Sequence, residues 1–328
     1  MIVLPRVVAI ELTYHCNHRC LFCSCPWEAD KVLPEDELDT TEWTRAIHKV
    51  AQRGAEVASF SGGEPTLRHD LLDIIDAARR EGMQPCMVSN GRVLDRDFLE
   101  ELHARHVLLS ISVPGIMTFE QHTGHDGVEH VMQLFRWARE LGMRTTANIA
   151  VTKANLFELR ETIAYALING ATYVLLNRFL PGGRGMRNTD LLLDRGELNE
   201  MLSVAESVLQ EAGAHGHIGT ELPYCTVDNP ASFKHLQVSY RCGAAKSFFA
   251  IDPSGYVKVC NHSEHRLCKV GDVDSLEDDA YWQAFAQSDY LPAMCSECNF
   301  SDRCDGGYRE AANVCHGSVA APDPLFET

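Results

Sequence analysis

Short apolar runs alternate with longer amphipathic stretches from residue 7 to about residue 180, and this alternation constrains the fold more than any other feature. Such alternation is typical of repeated βα units around a parallel sheet. Strands are predicted at 7–12, 56–60, 84–89, 107–113, 144–151 and 173–179, and helices at 41–53, 71–81, 96–103, 128–141, 155–169 and 195–212. Glycines follow several of these helices, as their ease in the left-handed region predicts. The sequence therefore predicts an α/β fold of six βα units.

The pattern changes after about residue 213, where glycines, histidines and regularly spaced cysteines replace the long helices. Two short extended runs, 248–251 and 256–259, flank an Asp-Pro-Ser-Gly segment and predict a hairpin. We expect a small second module here, held partly by metal. The predicted organisation is a first domain at 1–213, a second at 214–319 and a flexible tail at 320–328.

Composition excludes several classes of function. The net charge of −17 argues against general electrostatic binding to nucleic acid or to an anionic membrane. The first apolar run is interrupted by Glu11, and no later run approaches the roughly 18 residues of a membrane span. Thirteen cysteines in such a chain indicate metal or redox chemistry rather than a secreted disulfide framework. We therefore expect a cytoplasmic protein.

Three cysteines lie close together after the first predicted strand, in the motif Cys16-Asn-His-Arg-Cys20-Leu-Phe-Cys23. In a parallel barrel this position is the edge where active sites gather. Three thiolates suit an iron–sulfur cluster, and a four-iron cube would keep one iron open for a substrate group. A zinc site is the alternative, although this spacing lacks an obvious fourth ligand.

A glycine-rich turn, Ser61-Gly62-Gly63-Glu64-Pro65, follows the second predicted strand directly. Glycines in such a turn let the backbone approach a ligand and offer it hydrogen-bonding groups. This turn and the three-cysteine loop would face one another across a barrel mouth.

These two motifs resemble those of the radical SAM superfamily, CxxxCxxC and GGE, over roughly residues 7 to 190. The resemblance implies a partial (β/α)6 TIM-like barrel. It also implies that Cys16, Cys20 and Cys23 hold a [4Fe-4S] cluster whose open iron binds S-adenosylmethionine. The residues implied to contact that cofactor are Phe22, Gly62, Gly63, Glu64, Pro65, Ser110, Ser112, Asn148 and Arg178.

The later cysteines resemble the SPASM/Twitch extension, which binds auxiliary iron–sulfur clusters. The resemblance assigns one complete cluster to Cys295, Cys298, Cys304 and Cys315, and part of another to Cys242 and Cys260, with Cys225 or Cys268 as further ligands. Tyr308 stands where the family usually has another cysteine. A Twitch-like alternative places a single cluster on Cys242, Cys260, Cys295 and Cys298. The sequence allows either one or two auxiliary [4Fe-4S] clusters. A zinc-ribbon fold is the alternative in which no iron is bound.

By this resemblance the enzyme cleaves S-adenosylmethionine reductively and abstracts hydrogen from a substrate through a 5′-deoxyadenosyl radical. The substrate class implied first is a ribosomal peptide undergoing cross-linking, thioether formation, epimerisation or oxidation. The alternatives are an amino sugar or natural-product precursor undergoing dehydrogenation or epimerisation and, from another class, a non-catalytic zinc-binding module. Tyr308 is a catalytic candidate, and so is His125, which follows the fourth predicted strand in a polar segment.

Two partners follow from the same resemblance. An electron donor of the flavodoxin or ferredoxin type would reduce the cluster. The predicted barrel begins within seven residues of the N-terminus, so a peptide substrate would need a separate recognition protein or a short leader.

Overall fold

Ten strands form one sheet in the computed structural model, which describes residues 2–25 and 37–326. The strand order is β10-β9-β1-β2-β3-β4-β5-β6-β7-β8. All neighbouring pairs are parallel except β9 with β10. The strands are β1 Val7–Thr13, β2 Val57–Gly62, β3 Gln84–Ser89, β4 Leu108–Ser112, β5 Thr145–Val151, β6 Tyr173–Arg178, β7 Gly216–Ile218, β8 Leu236–Gln237, β9 Phe248–Ile251 and β10 Val257–Lys258. The sheet is open, with β10 and β8 at its two edges.

In the described part of the chain, seven helices follow the strands of the first six units and two more come after β10. They are α1 Thr40–Ala51, α2 Leu71–Arg80, α3 Arg96–Ala104, α4 Phe119–Thr123, α5 Val128–Glu140, α6 Leu159–Asn169, α7 Arg195–Ala212, α8 Ala280–Gln287 and α9 Arg309–His316. In α1, Trp43, Ile47 and Val50 are buried at helical spacing, and the helix begins with a capping box between Asp39 and Glu42. No helix in the described ranges is both long and apolar enough to span a membrane.

The predicted α/β fold of six βα units is confirmed, because the six predicted strands correspond to β1–β6. One helix begins later than predicted. The 155–169 prediction becomes a short 3₁₀ turn at Leu156–Glu158 followed by α6. The reason lies in Asn155, whose side chain accepts a hydrogen bond from the Thr152 amide and so holds a turn before the helix.

Strands from beyond residue 213 continue the sheet of the first six units. The predicted hairpin forms as β9 and β10, and β9 pairs in parallel with β1 from Val7 opposite Phe248 to Ile10 opposite Ile251. At the other edge, β7 pairs with β6. The predicted boundary between residues 213 and 214 therefore divides the chain within one continuous sheet.

Of the tail predicted at 320–328, the structure describes residues 320–326, while residues 327 and 328 lie outside the described part of the chain. Asp323 is fully buried and accepts two hydrogen bonds from the Arg178 guanidinium, at 2.9 and 2.6 Å. It also accepts from the amides of Tyr308 and Leu325. This buried carboxylate with four donors joins the segment to the end of β6.

The turn after β2 packs against the backbone that leads from β1 into the cysteine loop. The Gly63 amide donates to the Thr13 carbonyl at 2.7 Å, and the Glu64 amide donates to the His15 carbonyl at 2.9 Å. A Cβ atom on Gly63 would stand 2.3 Å from the His15 carbonyl oxygen. Glycine is therefore required here by the approach of protein backbone.

Glu158 is a buried carboxylate that holds the loop after β4. It accepts hydrogen bonds from the backbone amides of Ile116, Met117 and Thr118, at 3.1, 2.7 and 3.0 Å. Burial raises the pKa of this carboxyl, but the hydrogen bonds outweigh burial and the net pKa is lowered. The ionised form therefore stabilises the fold.

We predict that Gly63→Ala lowers the free energy of unfolding by about 3 kcal/mol, because the new methyl group must displace the His15 backbone. Urea denaturation would measure the change. Gly271→Ala is the matched control, since a Cβ there has nothing within 4 Å. Equal stability of the two variants would contradict the close approach.

We predict that Glu158→Gln lowers the free energy of unfolding at pH 7 by about 3 kcal/mol, because the amide cannot accept all three backbone hydrogen bonds. Since the folded pKa is lowered, this contribution is present above the unfolded pKa and is lost as pH falls through the folded value. The difference from wild type should shrink in acid. Glu161→Gln, on the exposed face of α6, is the control and should change stability little.

Candidate functional site

A cavity of about 430 Å³ opens at the carboxyl edge of the sheet, within the size range of small-molecule sites. Successive parallel strands end there, so their last side chains converge on one space. The polar and glycine residues that line it are Glu11, Cys23, Ser24, Cys25, Ser59, Ser61, Gly62, Gly63, Ser112, Asn148, Asn177, Arg178, Gly219, Thr220, Asn261, His262 and Tyr308. Residues from β1 to β6 and from the C-terminal third therefore share one cavity.

The cysteine loop is held at this edge by backbone hydrogen bonds from both sides. The Arg19 amide donates to the Thr123 carbonyl at 2.8 Å, and the Leu21 amide donates to the His122 carbonyl at 2.9 Å. On the other side, the Gly185 amide donates to the Cys23 carbonyl at 3.0 Å. The polar segment after β4 thus supports the loop through its backbone, and the His125 ring lies 5.5 Å from the His18 ring instead of lining the cavity.

The three thiols of the loop affect one another electrostatically. Burial raises the pKa of the Cys20 thiol, and the neighbouring thiols of Cys23 and Cys16 raise it further. A bound cationic group would favour the thiolate forms, which are the forms that bind metal. The described residues contain no group of three or more His, Cys, Asp or Glu at the spacing of a single metal ion. Three cysteine sulfurs in one loop are a donor set that an iron–sulfur cluster takes.

The glycines and the glutamate of the turn after β2 take different positions. Gly62 and Gly63 line the cavity, whereas Glu64 is buried beside it. The Glu64 carboxylate accepts from the Ser89 hydroxyl at 2.8 Å and from the Asn90 amide at 2.7 Å. It also accepts from both the amide and the hydroxyl of Thr66. Glu64 therefore joins the ends of β2 and β3, and Pro65 is buried at the start of the following turn.

Asn90 is a residue that the sequence reasoning missed. Its side-chain amide donates to Asn17 Oδ1 at 2.7 Å and lies 3.8 Å from Cys16 Sγ. Because Glu64 holds the backbone of Asn90, the glycine-rich turn positions the first cysteine through this residue. The available signal was its place after the third predicted strand, at the same sheet edge as the two motifs.

The remaining residues implied by the resemblance divide into two groups. Phe22, Ser112, Asn148 and Arg178 line the cavity, but Ser110 does not. Asn148 Oδ1 accepts a hydrogen bond from Asn177 Nδ2 at 2.9 Å, which fixes two amide side chains across β5 and β6. The Arg178 guanidinium is engaged by Asp323, with Nε alone lacking a hydrogen-bond partner.

A buried ion pair forms one wall of the cavity and was not expected from the sequence. Lys258 is fully buried and its Nζ lies 2.7 Å from Glu11 Oε2. The Tyr14 hydroxyl donates to the same oxygen at 2.8 Å, and the Asn261 side chain donates to Glu11 Oε1 at 3.1 Å. These contacts join β10 to β1 and place Asn261 in the cavity wall.

The C-terminal cysteines fall into separate places. Cys225, Cys295, Cys298 and Cys304 line one small cavity with Pro223, Tyr224, Phe300, Ser301, Gly306 and Phe326. Burial raises the pKa of Cys295, and the thiols of Cys304, Cys225 and Cys298 raise it further. Cys242 and Cys260 are buried near Tyr308, whose hydroxyl lies 4.0 Å from Cys260 Sγ. Cys268 lies beside β10, where its carbonyl accepts from the Val257 amide, and Cys315 lies on α9.

Sequence comparisons relate this chain to known proteins. Residues 10–166 match the sequence model of the radical SAM superfamily. The PqqA peptide cyclase of Gluconobacter oxydans (strain 621H) is 29% identical over 335 residues, which cover 98% of this chain and 90% of that protein. The PqqA peptide cyclase of Granulibacter bethesdensis is 27% identical over 333 residues, covering 98% of this chain and 86% of that protein.

Solved structures have the same fold at low sequence identity. Streptococcus suis SuiB bound to its precursor peptide SuiA has a TM-score of 0.79 at 15% identity, covering 99% of this chain and 76% of that chain. Native anSMEcpe with bound AdoMet has a TM-score of 0.76 at 15% identity, covering 98% and 94%. A zinc-binding module without catalysis does not explain a match that extends over the βα units. The chain therefore carries a radical SAM domain over residues 10–166 and is an enzyme.

Proposed function

We propose that this enzyme modifies a peptide by radical chemistry in the cavity at the carboxyl edge of the sheet. The observation that carries the proposal is the similarity to PqqA peptide cyclases over 98% of the chain, which includes the C-terminal third as well as the radical SAM domain. The fold shared with SuiB, solved with a precursor peptide, adds support. No contact of the described residues favours a small-molecule substrate over a peptide.

Cys16, Cys20 and Cys23 are the proposed ligands of the [4Fe-4S] cluster that superfamily members use with S-adenosylmethionine. When bound, the cluster and that cofactor supply a 5′-deoxyadenosyl radical. The presence of three cysteines in one loop, whose sulfurs interact electrostatically, supports this assignment. The cavity beside Cys23 has space for the cofactor, and the backbone of Gly62 and Gly63 faces it.

The chain's own residues then bind and orient the cofactor, and they exclude water from it. The fixed amides of Asn148 and Asn177 offer hydrogen-bonding groups deep in the cavity, and Phe22 covers the side next to the cysteine loop. Ser112 and Arg178 complete this proposed cofactor site. Glu64 and Pro65 serve it from outside by holding the turn. A site that holds its ligands in fixed positions and excludes water keeps a reactive radical from side reactions.

The substrate side of the cavity is formed by the C-terminal third. Thr220, Asn261, His262 and Tyr308 line it, and they present neutral polar groups suited to peptide amides. Burial lowers the pKa of His262 to about 4, so its ring is neutral near pH 7. We propose that Tyr308 touches the substrate, whereas His125 supports the cysteine loop. The electron donor of the flavodoxin or ferredoxin type and the separate peptide-recognition protein remain predictions, as do the auxiliary clusters.

We predict that the anaerobically reconstituted protein forms 5′-deoxyadenosine from S-adenosylmethionine under dithionite, and that the Cys16/Cys20/Cys23→Ala variant forms none. Loss of the three thiols removes the only protein ligands of the proposed cluster. Liquid chromatography of the nucleoside products measures both. Cys86→Ala is the control, because this cysteine lies on β3 outside the cavity lining. Equal activity of the triple variant and wild type would overturn the proposed ligands.

We predict that a gene for a short peptide lies beside the gene of this chain, and that co-expression of the two changes the peptide's mass or labels it with deuterium in heavy water. Mass spectrometry would detect either result, and the triple-cysteine variant provides the background. An unmodified peptide, together with turnover of an amino sugar or natural-product precursor by the same preparation, would contradict a peptide substrate.

A further inference from the structure

The small cavity in the C-terminal third brings together four cysteines from two distant segments. Cys225 lies in a 3₁₀ turn, Tyr224–Thr226, whereas Cys295, Cys298 and Cys304 lie about seventy residues later along the chain. All four line the same space, and apolar side chains surround them. The Tyr224 ring packs on the Phe300 ring at 4.5 Å between centroids, which holds the two segments together.

Backbone hydrogen bonds to one of the sulfur atoms are a second observation at this place. The Tyr224 amide and the Gly306 amide each donate to Cys304 Sγ at 3.3 Å. Two donors on one sulfur stabilise a thiolate and are typical of cysteines that bind a metal cluster. One of these donors belongs to the residue next to Cys225. The turn that supplies Cys225 therefore also supports the sulfur of a cysteine opposite it.

Cys315, the fourth ligand that the family resemblance implied, lies elsewhere. It belongs to the last turn of α9 and is not among the residues that line this cavity. The start of α9 is fixed by the buried Arg309, whose guanidinium donates to the carbonyls of Gly306, Val319 and Ala321. That anchor fixes the first turn of α9, and Cys315 lies six residues further along the same helix.

The pair formed by Cys242 and Cys260 does not fit a second four-iron cluster. Such a cluster ordinarily takes four cysteines, and here Tyr308 stands beside the pair, with its hydroxyl 4.0 Å from Cys260 Sγ. The neighbouring Glu221 is buried, with Oε1 accepting from the Gly243 amide at 3.2 Å. A phenol and a carboxylate therefore stand beside these two thiols, where a four-cysteine cluster would need two more thiolates.

From these contacts we propose that the chain holds one auxiliary [4Fe-4S] cluster, bound by Cys225, Cys295, Cys298 and Cys304, and none at Cys242 and Cys260. The inference rests on the proposed function, because it takes iron–sulfur assembly as given. It assigns the fourth ligand to Cys225 in place of Cys315.

The test isolates the auxiliary cluster in the Cys16/Cys20/Cys23→Ala background. Anaerobically reconstituted protein in that background should retain about four iron and four sulfide per chain. Adding Cys225→Ala should speed iron loss to a chelator about tenfold and change the electron paramagnetic resonance signal. Adding Cys315→Ala or Cys242→Ala, as matched controls, should leave both readouts unchanged. Circular dichroism checks that each variant is folded.

Four results would overturn the inference. The first is that Cys315→Ala changes iron loss or the electron paramagnetic resonance signal while Cys225→Ala does not. The second is that the triple-cysteine background holds about eight iron per chain, of which Cys242→Ala removes half. The third and fourth are that the background holds zinc in place of iron, or no metal. In each case 5′-deoxyadenosine formation by the chain with its first three cysteines intact is measured separately. Failure of this inference is thereby distinguished from failure of the proposed function.

Discussion

Two backbone hydrogen bonds beyond the ends of β1 and β2 hold the functional edge of this protein together. They run from the Gly63 amide to the Thr13 carbonyl and from the Glu64 amide to the His15 carbonyl. They prolong the parallel pairing just where the chain enters the cysteine loop. The missing side chain at Gly63 makes this approach sterically feasible. The position of Cys16 is thus set by the sheet, and the side chains of Glu64 and Asn90 secure it.

Buried ion pairs make the C-terminal third part of the same structure. Lys258 binds Glu11 on β1, and Asp323 binds Arg178 on β6, with all four side chains almost inaccessible to water. A buried charge that loses its partner is strongly destabilising, so each pair specifies which segments meet. These pairs lie at the two sides of the cavity. The later segments therefore close the site that the βα units open.

Local sequence patterns were sufficient to predict the fold of the first 212 residues. The amphipathic spacing in α1 and the capping residues of α7 are local, and the predicted bounds of α7 match the structure. The late start of α6 was not predicted, because the Asn155 side chain accepts a hydrogen bond from the Thr152 amide and so competes with helical backbone bonding. Within the site, Glu64 was expected to touch the cofactor. Its contacts with Ser89 and Asn90, which only the tertiary structure reveals, add that it holds the turn.

The sequence by itself determined the class of chemistry, because the spacing of Cys16, Cys20 and Cys23 and the turn that contains Gly62 and Gly63 are short-range patterns. It also determined the βα order, since hydrophobic periodicity is a local property. The tertiary structure alone decided which distant groups meet. The joining of β9 to β1, the burial of Asp323 and the grouping of Cys225 with Cys304 depend on contacts between segments far apart along the chain. No local pattern encodes such contacts, because they arise only when the sheet and its helices pack together.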